Sequence, residues 1–248
     1  FPAADHPIVL AIGFFDGLHL GHQHVIQTAL KEAQSLDAKC WLMSFNPHPA
    51  KVLRPHSAPA LILTPEQKES LLAIMGLDGW IQTPFNRDFS LLAPDAFINL
   101  LKKSMPTLKH ICVGPNWRFG HNAQGDTTTL TQLAHEIGIS VSVCQAQETS
   151  KQLISSTRVR QAILDGNMPQ ANAMLGREYS LIGPVVHGKK QGREMGFPTA
   201  NVAIKNELIP GPGIYVGHTT IDGKKVGGVG YTGHYDDPAN PVQGSLFE

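Results

Sequence analysis

Between residues 7 and 146, short apolar runs alternate with segments whose apolar residues recur at helical spacing, and this alternation restricts the possible folds more than any other feature of the chain. Residues 7–15, 40–45, 80–84, 110–114 and 140–146 read as strands. Between the first two, Val25, Ile26, Ala29, Leu30 and Ala33 mark a helix. Thr64, Pro65 and Gln67 supply an N-cap, a first-turn proline and a capping-box partner for another helix, which Gly76 closes. Further helices are expected over about 94–105 and 130–137. Strands that return through helices lie parallel and are covered on both faces, so a doubly wound α/β domain is expected.

Two shorter helices, about 157–164 and 169–175, precede Gly166 and Gly176 and should end that domain at residue 182. Past this point the character changes: 13 of the 24 glycines fall in the last 66 residues, and helical periodicity disappears. There, residues 213–221 and 224–233 flank Asp222-Gly223, a pair suited to the positive φ angles of a tight hairpin. A small antiparallel β-barrel over 183–248 is therefore expected.

Composition narrows the function. With 42% hydrophobic and 16% charged residues, the chain is globular and can bury one large core or two modest ones. Twenty basic and twenty acidic side chains cancel, which argues against a nucleic-acid or anionic-membrane partner and for small-molecule substrates. A monomer or weak homo-oligomer is expected. Cys40, Cys112 and Cys144 lie far apart in apolar runs and read as reduced core thiols. No run approaches the roughly 20 apolar residues of a membrane helix, and no basic-then-apolar leader opens the chain, although Phe1 in place of Met leaves the natural start open. The expected location is the cytoplasm.

Gly13-Phe-Phe-Asp-Gly-Leu-His-Leu-Gly-His22 spans the exit of the first strand and the entry to the first helix. Ligands of open α/β sheets bind off the carboxyl ends of the strands. A helix N-terminus there offers unpaired N–H groups to phosphate. His19 and His22 could both donate to that phosphate as charge builds up on it. Two other readings exist: a glycine-rich turn with surface histidines, or a zinc site using His19, His22 and His24, for which no further cysteine or carboxylate cluster is evident.

The segment resembles the Gly-Asn-Phe-Asp-Gly-Val-His-x-Gly-His signature of the bacterial bifunctional riboflavin kinase/FAD synthetase family, a Rossmann-like branch of the nucleotidylyltransferases. Further blocks resemble the family in the same order: Ser44-Phe-Asn-Pro-His-Pro49, Val113-Gly-Pro-Asn-Trp-Arg-Phe-Gly120 with Gly125-Asp126, Ile154-Ser-Ser-Thr-Arg-Val-Arg160, and Leu175-Gly-Arg177. The resemblance implies adenylyl transfer by the 1–182 domain: an FMN phosphate oxygen attacks the α-phosphorus of ATP, pyrophosphate leaves, and Mg²⁺ offsets phosphate charge. It assigns Gly13, Phe14, Phe15, Asp16, His19, Gly21 and His22 to the ATP phosphates, with Ser155, Ser156, Thr157 and Arg160 meeting them from the other side. Hydroxyls and N–H groups at a helix start, backed by an arginine, suit that second role, although Ser155 or Ser156 could equally be an N-cap. Asn46, His48, Asn116, Phe119 and Asp126 are the implied flavin contacts. Phe14 stands where the family usually carries Asn, so a side-chain hydrogen bond is lost while the backbone loop and both histidines remain.

Gly188-Lys-Lys-Gln-Gly-Arg-Glu-Met-Gly-Phe-Pro-Thr-Ala-Asn201 combines glycines, basic side chains and a hydroxyl–amide pair, which suits a nucleotide phosphate and its Mg²⁺; a solvated hairpin would look alike. Its Gly-Arg-x-x-Gly-Phe-Pro-Thr-Ala-Asn core resembles the riboflavin kinase signature, and residues 210–215 resemble the strand that follows it. This implies phosphorylation of riboflavin by ATP in the 183–248 domain. Gly188, Gly192, Arg193, Gly196 and Pro198 would surround the phosphates, and Thr199 and Asn201 would hold Mg²⁺ and phosphate. Positioning of the hydroxyl requires a carboxylate. Glu248 falls at a compatible distance, although Tyr231-Thr-Gly-His-Tyr departs from the family's Asn-Ile-Gly-x-Arg-Pro. The family continues beyond that point with a strand and a helix, so the kinase domain is expected to be incomplete at its C-terminus. Alternatives are a nucleotidylyltransferase for another phosphorylated metabolite, a flavin- or nucleotide-binding module without catalysis, and a histidine-metal hydrolase.

Overall fold

The computed structural model describes residues 5–186 and 200–233, and the backbone of 244–247. By packing, the chain forms two compact units: one takes in the chain up to Pro59 together with Pro65–Ser155, the other Ala60–Thr64 together with Ser156 onward.

The first unit runs β1 (Ile8–Ile12), α1 (Leu20–Ser35), β2 (Lys39–Asn46), α2 (Pro49–Leu53), α3 (Pro65–Ala73), β3 (Gly79–Pro84), α4 (Arg87–Ser90), α5 (Pro94–Ser104), β4 (Leu108–Val113), α6 (Thr127–Glu136) and β5 (Ser140–Val143), then a hairpin of β6 (Glu148–Thr149) and β7 (Gln152–Leu153). β1 to β5 pair in parallel in the order β3-β2-β1-β4-β5, the doubly wound sheet the alternation implied. Every residue of β1 is buried, because helices cover both faces. Ile8, Leu10 and Ile12 enter a core with Phe97, Ile98 and Leu101 of α5 and Leu130 and Ala134 of α6. Successive strand side chains alternate in direction, so Val9 and Ala11 face the other side, where α1 packs with Val25, Ile26, Ala29 and Ala33 buried.

α6 begins three residues before the expected 130 because Asp126 caps it, accepting from Thr129 N at 2.9 Å. The short α2 and α4 escaped the sequence pattern, being too brief to show a helical period. Strand order reverses between β1 and β4, and the crevice for a ligand in such a sheet lies beyond their carboxyl ends. Cys40, Cys112 and Cys144 are free and buried, and burial raises all three thiol pKa values, Cys40 to about 12. Among the described residues no helix is long and apolar enough to cross a membrane.

The second unit contains α7 (Ser156–Leu164), α8 (Met168–Leu175), β8 (Val185–Val186), β9 (Ala200–Val202), β10 (Gly213–Ile221), β11 (Lys224–Gly233) and β12 (Gly244–Phe247). The strands form an antiparallel sheet in the order β10-β11-β12-β9-β8. Asp222 (φ 48°) and Gly223 (φ 75°) make the expected β10–β11 turn.

α7 and α8, read from the sequence as the end of the first domain, fall in the same compact unit as this sheet. A close approach joins the end of α7 to the start of β10: a Cβ on Gly211 would lie 2.4 Å from the Leu164 carbonyl oxygen, and one on Gly166 would lie 2.7 Å from the Tyr215 hydroxyl. Tyr215 and Thr232 both donate to the Gly211 carbonyl, at 2.6 and 2.8 Å. The turn after α7 is thereby seated against the start of β10. By compact packing the second unit thus takes in Ala60–Thr64 and the chain from Ser156.

Candidate active site

The loop after β1 has an unusual backbone. Phe15 (φ 51°), Gly17 (φ 88°) and Leu18 (φ 41°) are left-handed, a conformation that costs a non-glycine residue energy and that collects at binding loops. Phe15 and Leu18 are buried, and their packing holds this shape. Turns of this kind aim successive N–H groups into one concavity suited to an anion. The loop ends at His19, the N-cap of α1, whose Nδ1 accepts from His22 N at 3.3 Å. The rings of His19 and His22 stack with centroids 3.7 Å apart. Burial, with the neighbouring charges of His19 and Lys68, pushes the His22 pKa well below the ordinary imidazole value. Nδ1 of His22 is buried without a hydrogen-bond partner among the described residues.

Beside the loop lies a cavity of about 430 Å³, within the usual range for small-molecule sites. Phe14, Phe45, Phe85, Phe89, Phe97, Trp117 and Phe119 line it, and Arg87, Arg118 and His121 are its charged or ionisable members. Phe14 is 5.6 Å from Phe45 and 5.7 Å from Trp117, ring centre to ring centre. Phe14, Phe45 and Phe85 come from the carboxyl ends of β1, β2 and β3, Phe89 and Phe97 from α4 and α5, and Trp117 and Phe119 from the segment after β4, at the crevice the strand order defines. The indole N–H of Trp117 is buried with no partner among the described residues.

Of the residues expected to contact flavin, Phe119 lines this cavity, while Asn46, His48, Asn116 and Asp126 do not. His48 caps α2, accepting from Ala50 N at 3.2 Å, and its ring lies 5.3 Å from Phe14. Asn46, the last residue of β2, and Asn116, in the loop after β4, are both exposed at the same end of the sheet. Asp126 caps α6, and bonds from Thr129 N and Oγ1 hold its carboxyl below the usual carboxylate range. Gly125 permits the adjoining pairing with Phe119, whose ring would stand 2.6 Å from a Cβ at that position.

Sequence reasoning missed Lys68, which extends from α3 to the loop after β1. Its ammonium donates to the Phe14 carbonyl at 2.9 Å and to the hydroxyl of Ser44, and Ser44 Oγ also donates to Phe14 O at 3.1 Å. One lysine among twenty basic residues, in a helix remote in sequence, carries no local signal of this contact. Most of the aromatic lining was equally unmarked.

In the second unit Ser156 and Thr157 open α7 as expected, with Ser155 immediately before it. Arg160 donates through Nε to Ala60 O at 2.8 Å. Asn201 is half-buried on β9, between Val186 and Leu246 of the neighbouring strands. Gly188, Gly192, Arg193, Gly196, Pro198, Thr199 and Glu248 lie outside the described residues. No group of three His, Cys, Asp or Glu side chains among the described residues is placed to hold a metal, so His19, His22 and His24 do not form the alternative zinc site.

A parallel α/β sheet with a histidine-bearing glycine loop at its switch point has the architecture of a nucleotidylyltransferase-type domain. Family comparison is specific: the FAD synthetase model matches residues 1–158 and the riboflavin kinase model residues 175–243. The chain belongs to the bifunctional riboflavin kinase/FMN adenylyltransferase family. The relative of that name from Listeria monocytogenes is 36% identical over 218 residues, covering 87% of this chain and 69% of the relative. That from Bacillus subtilis is 34% identical over 249 residues, covering 97% and 78%. That from Escherichia coli is 35% identical over 207 residues, covering 84% and 66%. The chain thus spans about two thirds to four fifths of these relatives' lengths. A crystal structure described as a macrolide-efflux protein from Streptococcus pneumoniae superposes with a TM-score of 0.88 at 30% identity, covering 99% of this chain and 79% of the other.

Proposed function

We propose that this protein makes FAD in two steps, phosphorylating riboflavin with ATP and adenylylating the resulting FMN with a second ATP. The observation that carries the adenylyl-transfer reading is one site in the first unit: a left-handed phosphate loop with stacked His19 and His22, beside a 430 Å³ aromatic cavity. Phosphate suits the loop and the helix N-terminus. A flat tricyclic flavin suits walls of Phe and Trp, and its polar edge can accept from the Trp117 indole N–H.

In adenylyl transfer the FMN phosphate oxygen forms a bond to the α-phosphorus of ATP as the bond to the β-phosphate oxygen breaks, releasing pyrophosphate. Negative charge grows on the phosphate oxygens, where His19, His22 and the loop N–H groups stabilise it. Gly13, Phe14, Phe15, Asp16 and Gly21 shape this loop, and Ser155, Ser156, Thr157 and Arg160, around the start of α7, are assigned to ATP phosphate on the family resemblance alone. Mg²⁺ would travel with the ATP phosphates, which supply the oxygens it prefers; among the described residues the protein offers no cage of its own.

The kinase reading rests on the 175–243 family match and on the half-buried Asn201 amide, a suitable oxygen ligand for phosphate-bound Mg²⁺ together with Thr199. Glu248 is assigned to orient the ribityl hydroxyl. We assign the first activity to residues 1–182 and the second to 183–248, with the cytoplasm as the working compartment. The test incubates the chain with ATP and Mg²⁺ plus either riboflavin or FMN and separates the flavins by chromatography. FAD from FMN and FMN from riboflavin are expected. Bound flavin with neither product would leave a binding module in place of an enzyme.

A further inference from the structure

The ammonium of Lys68 sits half-buried against the phosphate loop, and the two bonds it makes go to neutral oxygens, Phe14 O and Ser44 Oγ. An ammonium carries three donors, so one N–H of Lys68 has no partner among the described residues. Partial burial of a cation without an ion partner is costly. That cost is offset when an anion occupies the adjoining site, and the left-handed backbone of the loop at Phe15, Gly17 and Leu18 is of the kind that forms anion-binding concavities. The titratable groups facing Lys68 are Asp16 in the loop and His22 on α1, with His19 stacked on His22. Lys68 from α3 and His22 from α1 therefore converge on the loop that ends at His19.

Resting on the adenylyl-transfer reading, we propose that Lys68 is a further catalytic residue, whose ammonium anchors the loop through Phe14 O and directs its remaining N–H to the ATP phosphates. Burial lowers the pKa of Lys68 to about 8, against the opposing pull of Asp16. Bound polyphosphate favours the charged form, so ATP capture takes up a proton above that value and weakens as the pH rises through 8 to 9.5. His22 is already neutral in this window, and the second ionisation of a phosphate monoester, at about 6, lies below it.

The experiment follows FAD formation from supplied FMN, so the kinase site does not contribute, and measures kcat/KM for ATP from pH 7 to 9.5. Wild type should decline above about pH 8. Lys68→Met should be roughly 10²-fold lower at pH 7 and flat over the window. Lys68→Arg keeps a charge that does not titrate there, and should retain more activity than Lys68→Met without the decline. A brace with no phosphate contact would instead lower activity in Lys68→Met while leaving the pH profile unchanged; that result overturns the proposal, as does unchanged kcat/KM for ATP. If Lys68→Met fails to fold, Lys68→Arg decides: a wild-type decline above pH 8 in that variant overturns the assignment. Absence of FAD formation by the wild-type chain at every pH would overturn the underlying adenylyl-transfer reading as well, whereas active wild type with insensitive Lys68 variants removes this inference alone.

Discussion

Burial keeps His22 neutral at physiological pH, so on the proposed adenylyl-transfer reading it would meet ATP as a hydrogen-bonding ring rather than as a fixed cation. The unfolded chain protonates this histidine near pH 6.5, whereas the folded protein resists protonation until well below that value. Acid therefore favours the unfolded state: stability associated with His22 is complete above pH 6.5 and declines as the pH falls below it. His22→Ala should cut FAD formation from FMN by roughly 10²-fold, measured as kcat at saturating ATP. Denaturant melts between pH 5 and 7 should show a shallower pH dependence in that variant than in wild type. The departure at Phe14 is explained at the same scale: the loop is anchored through the Phe14 backbone carbonyl, and the ring serves as a wall of the aromatic cavity. Loss of an asparagine there leaves both loop anchors intact.

Caps and close approaches settle the boundaries of the elements. Asp126→Ala removes the acceptor that starts α6 and should lower the melting midpoint by a few degrees at neutral pH. Because the folded carboxyl pKa is depressed, the stabilisation is present above the unfolded pKa near 4 and disappears as the pH falls through the folded value. Wild type and variant melts should therefore converge in acid. In the second unit, Gly211→Ala drives a methyl group into the backbone carbonyl of Leu164, which cannot swing aside as a side chain would. Roughly 1–3 kcal/mol of destabilisation is expected by chemical denaturation. Adenylyl transfer under folding conditions should change less than that stability, since Gly211 is remote in sequence from the phosphate loop and belongs to the other compact unit.

For the whole molecule, the two-step reading makes the activities separable. Asn201→Ala should impair phosphorylation of riboflavin and spare FAD formation from supplied FMN, the converse of His22→Ala. Equal loss of both activities in either variant would contradict separate sites. The parallel α/β unit, the β-rich end, the Asp222-Gly223 turn and the histidine loop were all legible in the chain, because hydrophobic period, capping residues and turn chemistry act over a few neighbouring residues. Tertiary structure alone decided that α7 and α8 belong with the sheet of the second unit, since the contacts of Gly166 and Gly211 join segments some fifty residues apart. It alone gathered Phe45, Phe85, Phe89 and Phe97 around one cavity and set Lys68 against Phe14, 54 residues away in sequence. Local patterns specify which face of a strand or helix is buried; which distant side chains then meet depends on strand order and helix packing, which no short stretch of sequence contains.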